Sequence, residues 1–66
     1  MGIATTEKQL RYNAINNLSN ILWSKLQKPS SKYKKMSIVQ LQFMYEQLNN
    51  TDRELNEIYE EALKLT

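Results

Sequence analysis

The sequence predicts an all-α protein, a small three-helix bundle in which one long helix is joined through a basic linker to a helical hairpin. Glycine and proline each occur once, at Gly2 and Pro29, so turn signals are scarce. Apolar residues recur at the three- and four-residue spacing of helices. Three capping boxes mark helix starts: Thr6 with Gln9, Ser37 with Gln40, and Thr51 with Glu54.

The length of the chain predicts a single domain, residues 1–66, with a small core. A chain of this size buries only about 60% of its unfolded surface. Such scaffolds usually need additional stabilisation, and the chain has neither cysteine for disulfides nor histidine for a zinc site. Self-association would supply the missing burial. We therefore expect the bundle to form a homodimer.

The first helix is expected to run from Glu7 to Gln27. Pro29 ends it, because proline disfavours helical conformation in the residue before it. The chain before this helix, residues 1–5, is expected to be a flexible N-terminus. The predicted inward residues share one helical face: Leu10, Ala14, Ile15, Leu18, Ile21, Leu22 and Leu26. The polar and basic segment 28–36 that follows is expected to be a loop or a loose turn.

The second helix is expected from Ile38 to Leu48, and Asn49 and Asn50 end it, because asparagine tolerates the left-handed conformation found at helix ends. The third is expected from Asp52 to Leu65. The predicted inward face of the second helix consists of Ile38, Leu41, Met44, Tyr45 and Leu48. That of the third consists of Leu55, Ile58, Tyr59, Ala62, Leu63 and Leu65.

Four large apolar residues fall outside the predicted inward faces. Val39 and Phe43 lie one turn apart on the second helix, and Tyr12 and Trp23 share an outer face of the first. Burial of the second helix on two sides would account for Val39 and Phe43. Apolar groups left outside a small core also mark contact surfaces, and aromatic residues are favoured there. We expect these four residues to bind a protein partner, a second copy of the chain included.

Charge is unevenly distributed along the chain, although the net charge is only +2. Seven basic residues and no acid lie between residues 8 and 45, whereas six acids and two basic residues follow from Glu46 onward. The alternative hypothesis is therefore a nucleic-acid-binding protein whose linker and first helix contact phosphates, with Trp23 and Tyr33 available to stack on bases. Its candidate residues are Lys25, Lys28, Lys32, Lys34 and Lys35. A solvated, solubilising lysine-rich loop would give the same pattern.

A helix-turn-helix protein is disfavoured by the charge of the third helix. In that motif the later helix enters the major groove, but here its outer side would carry acids, which phosphates repel. If the protein binds DNA, its first helix must do so. That helix has an outer face rich in asparagine, a residue that can hydrogen-bond to adenine: Asn13, Asn16, Asn17 and Asn20.

Catalysis is not expected. The chain lacks Cys and His, so it cannot form a Cys- or His-based nucleophile–base pair, and its one glycine cannot build a phosphate-binding loop. We expect no cofactor and no metal. The N-terminus up to Thr6 matches the short N-myristoylation pattern at Gly2, but one lipid chain anchors only weakly.

These observations lead to a functional hypothesis. No apolar run is long enough to span a membrane, and the absence of cysteine suits a reducing compartment, so a cytoplasmic protein is expected. We expect a small non-enzymatic regulatory or adaptor protein, of the kind that phages and mobile elements encode, acting by protein–protein interaction.

Overall fold

The computed structural model describes residues 6–65. It confirms the all-α prediction: three helices pack around one core, and no strand occurs within this range. No helix among these residues is long and apolar enough to cross a membrane. The predicted flexible N-terminus, residues 1–5, and the candidate lipidation position Gly2 lie outside the described residues.

The first helix, α1, spans Glu7–Ile21. Its start is capped by Thr6, whose hydroxyl oxygen accepts a hydrogen bond from the Gln9 backbone N–H at 3.1 Å. The side chain of Gln9 donates to Asn13 Oδ1 at 3.3 Å, so the first capping box is only half formed. Thr6 nevertheless fixes the start of α1, because it satisfies a backbone donor that has no partner within the helix.

Beyond α1 the helix widens into a π-helical turn over Leu22–Leu26. Gln27 then adopts the left-handed conformation, with φ of 55° and ψ of 44°. The backbone N–H groups of Gln27 and Lys28 both donate to the Leu22 carbonyl, the second at 3.3 Å, one residue wider than the bond that closes many α-helices. The helical segment therefore ends close to its predicted end, two residues before Pro29.

The linker is compact, which corrects the expectation of a loose turn. It contains a 3₁₀ turn over Ser31–Tyr33, and its buried residues are Ser30, Tyr33 and Met36. The Tyr33 ring packs edge-on against that of Tyr59, with ring centroids 5.2 Å apart and planes at 72°. This geometry is favoured between aromatic rings because the positive edge of one meets the negative face of the other. The lysine-rich linker is therefore fixed to the bundle by its aromatic side chain.

The second helix, α2, spans Ile38–Asn50 and begins with a complete capping box. The Gln40 backbone N–H donates to Ser37 Oγ at 3.2 Å, and the Ser37 N–H donates to Gln40 Oε1 at 3.0 Å. Both asparagines expected to end the helix belong to it, and Thr51 follows as its C-terminal cap. The helix is thus two residues longer than predicted.

The third helix, α3, spans Leu55–Leu63 and starts three residues later than expected. The predicted capping box at Thr51 is wrong, because its hydroxyl donates to the Gln47 carbonyl at 2.7 Å and accepts from the Arg53 N–H at 3.3 Å. Thr51 therefore stabilises the end of α2. Glu54 stands before α3 without a capping side-chain bond.

The helices α1 and α2 run parallel to each other, whereas α3 runs antiparallel to α2. Lys25, near the end of the first helical segment, donates from Nζ to the Leu48 carbonyl near the end of α2 at 2.5 Å. The starts of the same two helices border one groove, lined by Lys8 and Val39 among others. Gln40 at the start of α2 donates to the Leu65 carbonyl after α3 at 2.9 Å. The linker consequently crosses back along α1.

The core lies where α2 packs against both other helices and against the linker. Three residues predicted to face inward remain exposed: Leu10, Leu26 and Leu63. Leu10 and Leu63 lie near the ends of the helices, where fewer neighbours are available to cover them. The buried apolar residues are Ala14, Leu18, Leu22, Tyr33, Met36, Leu41, Met44, Leu48, Ile58 and Ala62.

Replacing Tyr33 tests whether the linker belongs to the folded core. We expect Tyr33→Ala to lower the free energy of unfolding by about 3 kcal/mol, because removing a buried aromatic ring leaves a cavity. Tyr33→Phe retains the ring and should change it by less than about 1 kcal/mol. Urea unfolding followed by circular dichroism measures both variants. Equal stability of the alanine variant and the parent would show that the linker contributes nothing.

Candidate protein-binding surface

Three of the four candidate contact residues remain largely exposed after folding. The exposed fractions are 61% for Tyr12, 55% for Trp23 and 53% for Val39. Phe43 is half-buried and packs against the core. The fold therefore leaves two large aromatic side chains and one β-branched side chain in contact with solvent, and gives Phe43 a partly structural role.

A groove between the starts of α1 and α2 brings some of these residues together. It has a volume of about 540 Å³ and is partly open to solvent. Val39 lines it, and Tyr12 lies one helical turn beyond Lys8, another lining residue, on the same side of α1. The remaining lining residues are Glu7, Arg11, Ser37 and Ile38.

Trp23 lies apart from this groove. It belongs to the π-helical turn that continues α1, eleven residues beyond Tyr12. Phe43 follows Val39 by one turn on α2. The four candidates therefore form two pairs, one along α1 and one along α2, and only Tyr12 and Val39 lie close to the same groove.

The five lysines of the nucleic-acid hypothesis do not form one cluster. The Arg11 guanidinium donates from Nη2 to the Lys34 carbonyl at 2.6 Å, which holds Lys34 and the adjacent Lys35 beside the start of α1. Lys25 lies at the opposite end of the bundle, where it bonds to the Leu48 carbonyl. Lys28 is also at that end, in a depression that includes the acids Asp52 and Glu54.

Lys32 and Tyr33 both lie against the ring of Tyr59 on α3. The Lys32 ammonium lies 4.9 Å from the Tyr59 ring centroid and 5.9 Å from that of Tyr33. Burial, with a smaller effect of the neighbouring Tyr59, raises the pKa of the Tyr33 phenol. Tyr33 is therefore a packed residue and is not placed to stack on a base; of the two aromatic candidates, Trp23 alone is exposed.

Sequence analysis missed a contact that the fold makes between α1 and the linker, in which the Arg11 guanidinium bonds to the backbone carbonyl of Lys34. These residues lie far apart in sequence and meet because the linker returns to the start of α1. The length of the linker could have indicated that it returns along α1. Antiparallel helices need only 2–5 connecting residues, and nine residues can span about 30 Å when extended, enough to run back along a helix.

The α3 side of α2 carries the opposite charge and contains an ion-pair cluster. Arg53 donates to Glu57 Oε1 at 2.7 Å and also bonds to Glu61. Its Nη1 further donates to Gln47 Oε1 on α2 at 3.2 Å. Hydrogen bonds from Arg53 lower the pKa of the Glu61 carboxyl, and both carboxylates raise the pKa of Arg53. This cluster ties α3 to α2.

The chain matches no family model, and no curated protein or solved structure is significantly similar to it. Within residues 6–65, His, Cys, Asp and Glu side chains do not gather in a group of three that could hold a metal ion. The case for a function therefore depends on the exposed apolar and charged surfaces of this chain.

The lowered pKa of Glu61 predicts a contribution to stability that acid removes. It is present above the ordinary pKa of the carboxyl, 4.5, and is lost as the pH falls through the lower folded-state value. We expect acidification from about pH 7 to about pH 3 to lower the melting temperature of the parent more than that of Arg53→Met.

Thermal unfolding followed by circular dichroism at both pH values measures the difference. Lys8→Met is the matched control, because Lys8 forms no ion pair among the described residues. It should respond to acid like the parent. An equal fall in melting temperature for Arg53→Met and the parent would contradict a role of Arg53 in the acid response.

Proposed function

We propose that this protein is a small, non-enzymatic regulatory or adaptor protein that binds another protein through α1 and the start of α2. The observation that carries the proposal is the exposure of Tyr12, Trp23 and Val39, each more than half accessible. Tyrosine and tryptophan are enriched at the energetically dominant positions of protein interfaces. Each also offers a polar atom that can hydrogen-bond while its ring is covered.

The surroundings of these residues favour a protein partner. The groove beside Val39 combines apolar side chains with the charged groups of Lys8 and Arg11. Interfaces typically have an apolar centre and a polar rim. The groove is partly open to solvent, whereas small-molecule sites usually enclose most of their ligand. A broad contact with another protein suits this shape better.

The chemistry of the chain supports a binding role over catalysis. The sequence offers no cysteine or histidine. Glu57 and Glu61 are held together by Arg53 on an exposed side of α3. The lowered pKa of Glu61 makes that carboxylate a poor proton carrier near neutral pH. We extend the proposal to a cytoplasmic location, since a chain without cysteine has no disulfide that would need an oxidising compartment to form.

Selection of peptides from a displayed random library on the immobilised protein tests this proposal. We expect the parent to enrich peptides rich in apolar residues. The double variant Tyr12→Ser/Trp23→Ser should bind the enriched peptides at least tenfold more weakly, because truncating an aromatic anchor at an interface costs about 2 kcal/mol or more.

Leu63→Ser serves as the matched control, because Leu63 is 50% exposed but lies on α3. It should bind the enriched peptides like the parent. Absence of enrichment, or equal binding by the double aromatic variant, would reject the proposed contact surface.

A nucleic-acid-binding function is the second candidate, favoured by the bond between Arg11 and the Lys34 carbonyl. This bond brings the backbone of the linker at Lys34 close to the first half of α1. None of the seven basic residues between 8 and 45 forms an ion pair within residues 6–65, since the two ion pairs found there both belong to Arg53. Unpaired basic groups beside an asparagine-rich helix face suit contact with phosphates and bases.

Fluorescence anisotropy with a labelled DNA duplex tests this candidate at about 50 and 200 mM salt. If it is correct, affinity falls steeply with salt, and Lys34→Gln/Lys35→Gln weakens binding and flattens the salt dependence. Lys25→Gln/Lys28→Gln should have a smaller effect, because those lysines lie at the other end beside acids. No binding at low salt, or equal effects of the two variants, would contradict it.

A further inference from the structure

One face of the molecule combines exposed apolar side chains with edges of opposite charge. Its centre is the outer side of α2, which carries Val39 and Phe43 one turn apart and, one turn beyond Phe43, the exposed acid Glu46. The α1 edge borders it across the groove that Val39 shares with Lys8 and Arg11. The α3 edge borders it on the other side, where Arg53 links Gln47 of α2 to the acids of α3. The middle helix therefore separates a basic edge from an acidic one.

The basic edge carries a net positive charge. Lys8 and Arg11 line the groove, and the bond from Arg11 to the Lys34 carbonyl brings the backbone of Lys34, and of the adjacent Lys35, close to Arg11. Glu7 is the one acid among the groove-lining residues. None of the four basic residues has an ion-pair partner within the described part of the chain. Their charge is available to a partner.

The acidic edge comes from α3 and the residues before it. Residues 52–65 contain five acids and only two basic residues. Glu57 and Glu61 lie toward α2, as their shared bonds with Arg53 show. One Arg53 guanidinium is shared between these two carboxylates, so a negative charge remains after pairing. The two edges of the face are therefore electrostatically complementary.

We propose that two copies of the chain pair through this face, about a two-fold axis that runs parallel to α2. Val39 and Phe43 of both copies meet at the centre, and the basic edge of each copy lies over the acidic edge of the other. The inference deepens the proposed function and rests on it, since Val39 and Phe43 belong to the proposed contact surface. It names the partner as a second copy.

The orientation of the axis follows from the charges. A two-fold axis parallel to α2 places α1 of one copy over α3 of its partner, which sets opposite charges against each other twice. It also brings Glu46 of α2 near the same residue of the second copy, one repulsive contact against two attractive ones. An in-plane axis perpendicular to α2 places α1 over α1 and α3 over α3, which sets like charges against each other. Like charges placed across an interface are destabilising. A closed pair with identical contacts is also the commonest arrangement of identical subunits.

The size of the molecule is sufficient for such a pair. Its accessible surface is 4871 Å². An ordinary interface covers about 800 Å² on each partner, roughly one-sixth of that surface. One face of the bundle therefore provides the area required. Pairing would also cover Val39 and complete the burial of Phe43, which is only half-buried in the single copy.

Light scattering coupled to size-exclusion chromatography tests the pair at about 50 and 500 mM salt. We expect a dimer at low salt whose dissociation constant rises at least tenfold at high salt, because screening weakens both charged contacts. Val39→Asp should give a monomer at both salt concentrations. Leu63→Asp introduces the same charge at a similarly exposed leucine of α3 and should leave the dimer intact.

Charge reversal provides the sharpest test. Lys8→Glu/Lys35→Glu should be monomeric, because both edges are then acidic. Glu57→Lys/Glu61→Lys should be monomeric for the converse reason. An equimolar mixture of the two variants should form heterodimers, because both contacts become complementary. Circular dichroism checks that each variant is folded. If Glu57→Lys/Glu61→Lys does not fold, the oligomeric state of Lys8→Glu/Lys35→Glu still tests the pair.

A parent that stays monomeric at high concentration and low salt would overturn the pair. So would a dimer that survives Val39→Asp, or one that is lost in Leu63→Asp. None of these results would decide the proposed function, because Tyr12 and Trp23 can select peptides on a monomer. Failure of peptide selection together with an intact dimer would instead restrict the contact surface to self-association.

Discussion

The linker between α1 and α2 determines the arrangement of the whole molecule. It returns the chain from the end of α1 to its start, and its position is held by the packing of Tyr33 on Tyr59 and by the bond from Arg11 to the Lys34 carbonyl. Because the linker crosses back, α1 and α2 run in the same direction and α3 runs against them. A short connection would have produced an antiparallel pair and different neighbours for every exposed residue.

The distribution of charge in space is a direct result of that crossing. Along the chain, the basic residues form one long block and the acids another. In the folded molecule the basic block divides, with Lys34 and Lys35 at one end and Lys25 and Lys28 at the other. Lys25 is further tied to the Leu48 carbonyl, where an ammonium group complements the negative end of α2. A basic stretch of sequence has thus become two separate basic regions.

Much of the fold could be predicted from local signals. The caps at Thr6 and Ser37 act at the expected helix starts, because capping depends on residues only three positions apart. The central residues of each predicted inward face, such as Leu18, Leu41 and Ile58, are fully buried. Helical periodicity identifies such residues without knowledge of their neighbours.

One error arises where two local patterns compete, and the others arise from distant contacts. Thr51 has the sequence of an N-terminal cap, but its hydroxyl bonds within α2, so α3 begins later. Tyr33 lies in a polar, basic segment, and nothing nearby in the sequence indicates that Tyr59 covers its ring. The exposure of Tyr12, Trp23 and Val39 follows from their helical positions, whereas the meeting of Arg11 with Lys34 depends on tertiary structure.

The parallel arrangement of α1 and α2 also bears on the order in which the structure assembles. The hairpin of α2 and α3 has a short connection, residues 51–54, and its contacts close a small loop. Docking of α1 instead joins residues as distant as Lys25 and Leu48, 23 positions apart, and must order the linker as well. Closing longer loops costs more conformational entropy and slows folding. We therefore expect the hairpin to form first, and α1, which carries Tyr12, to dock after it.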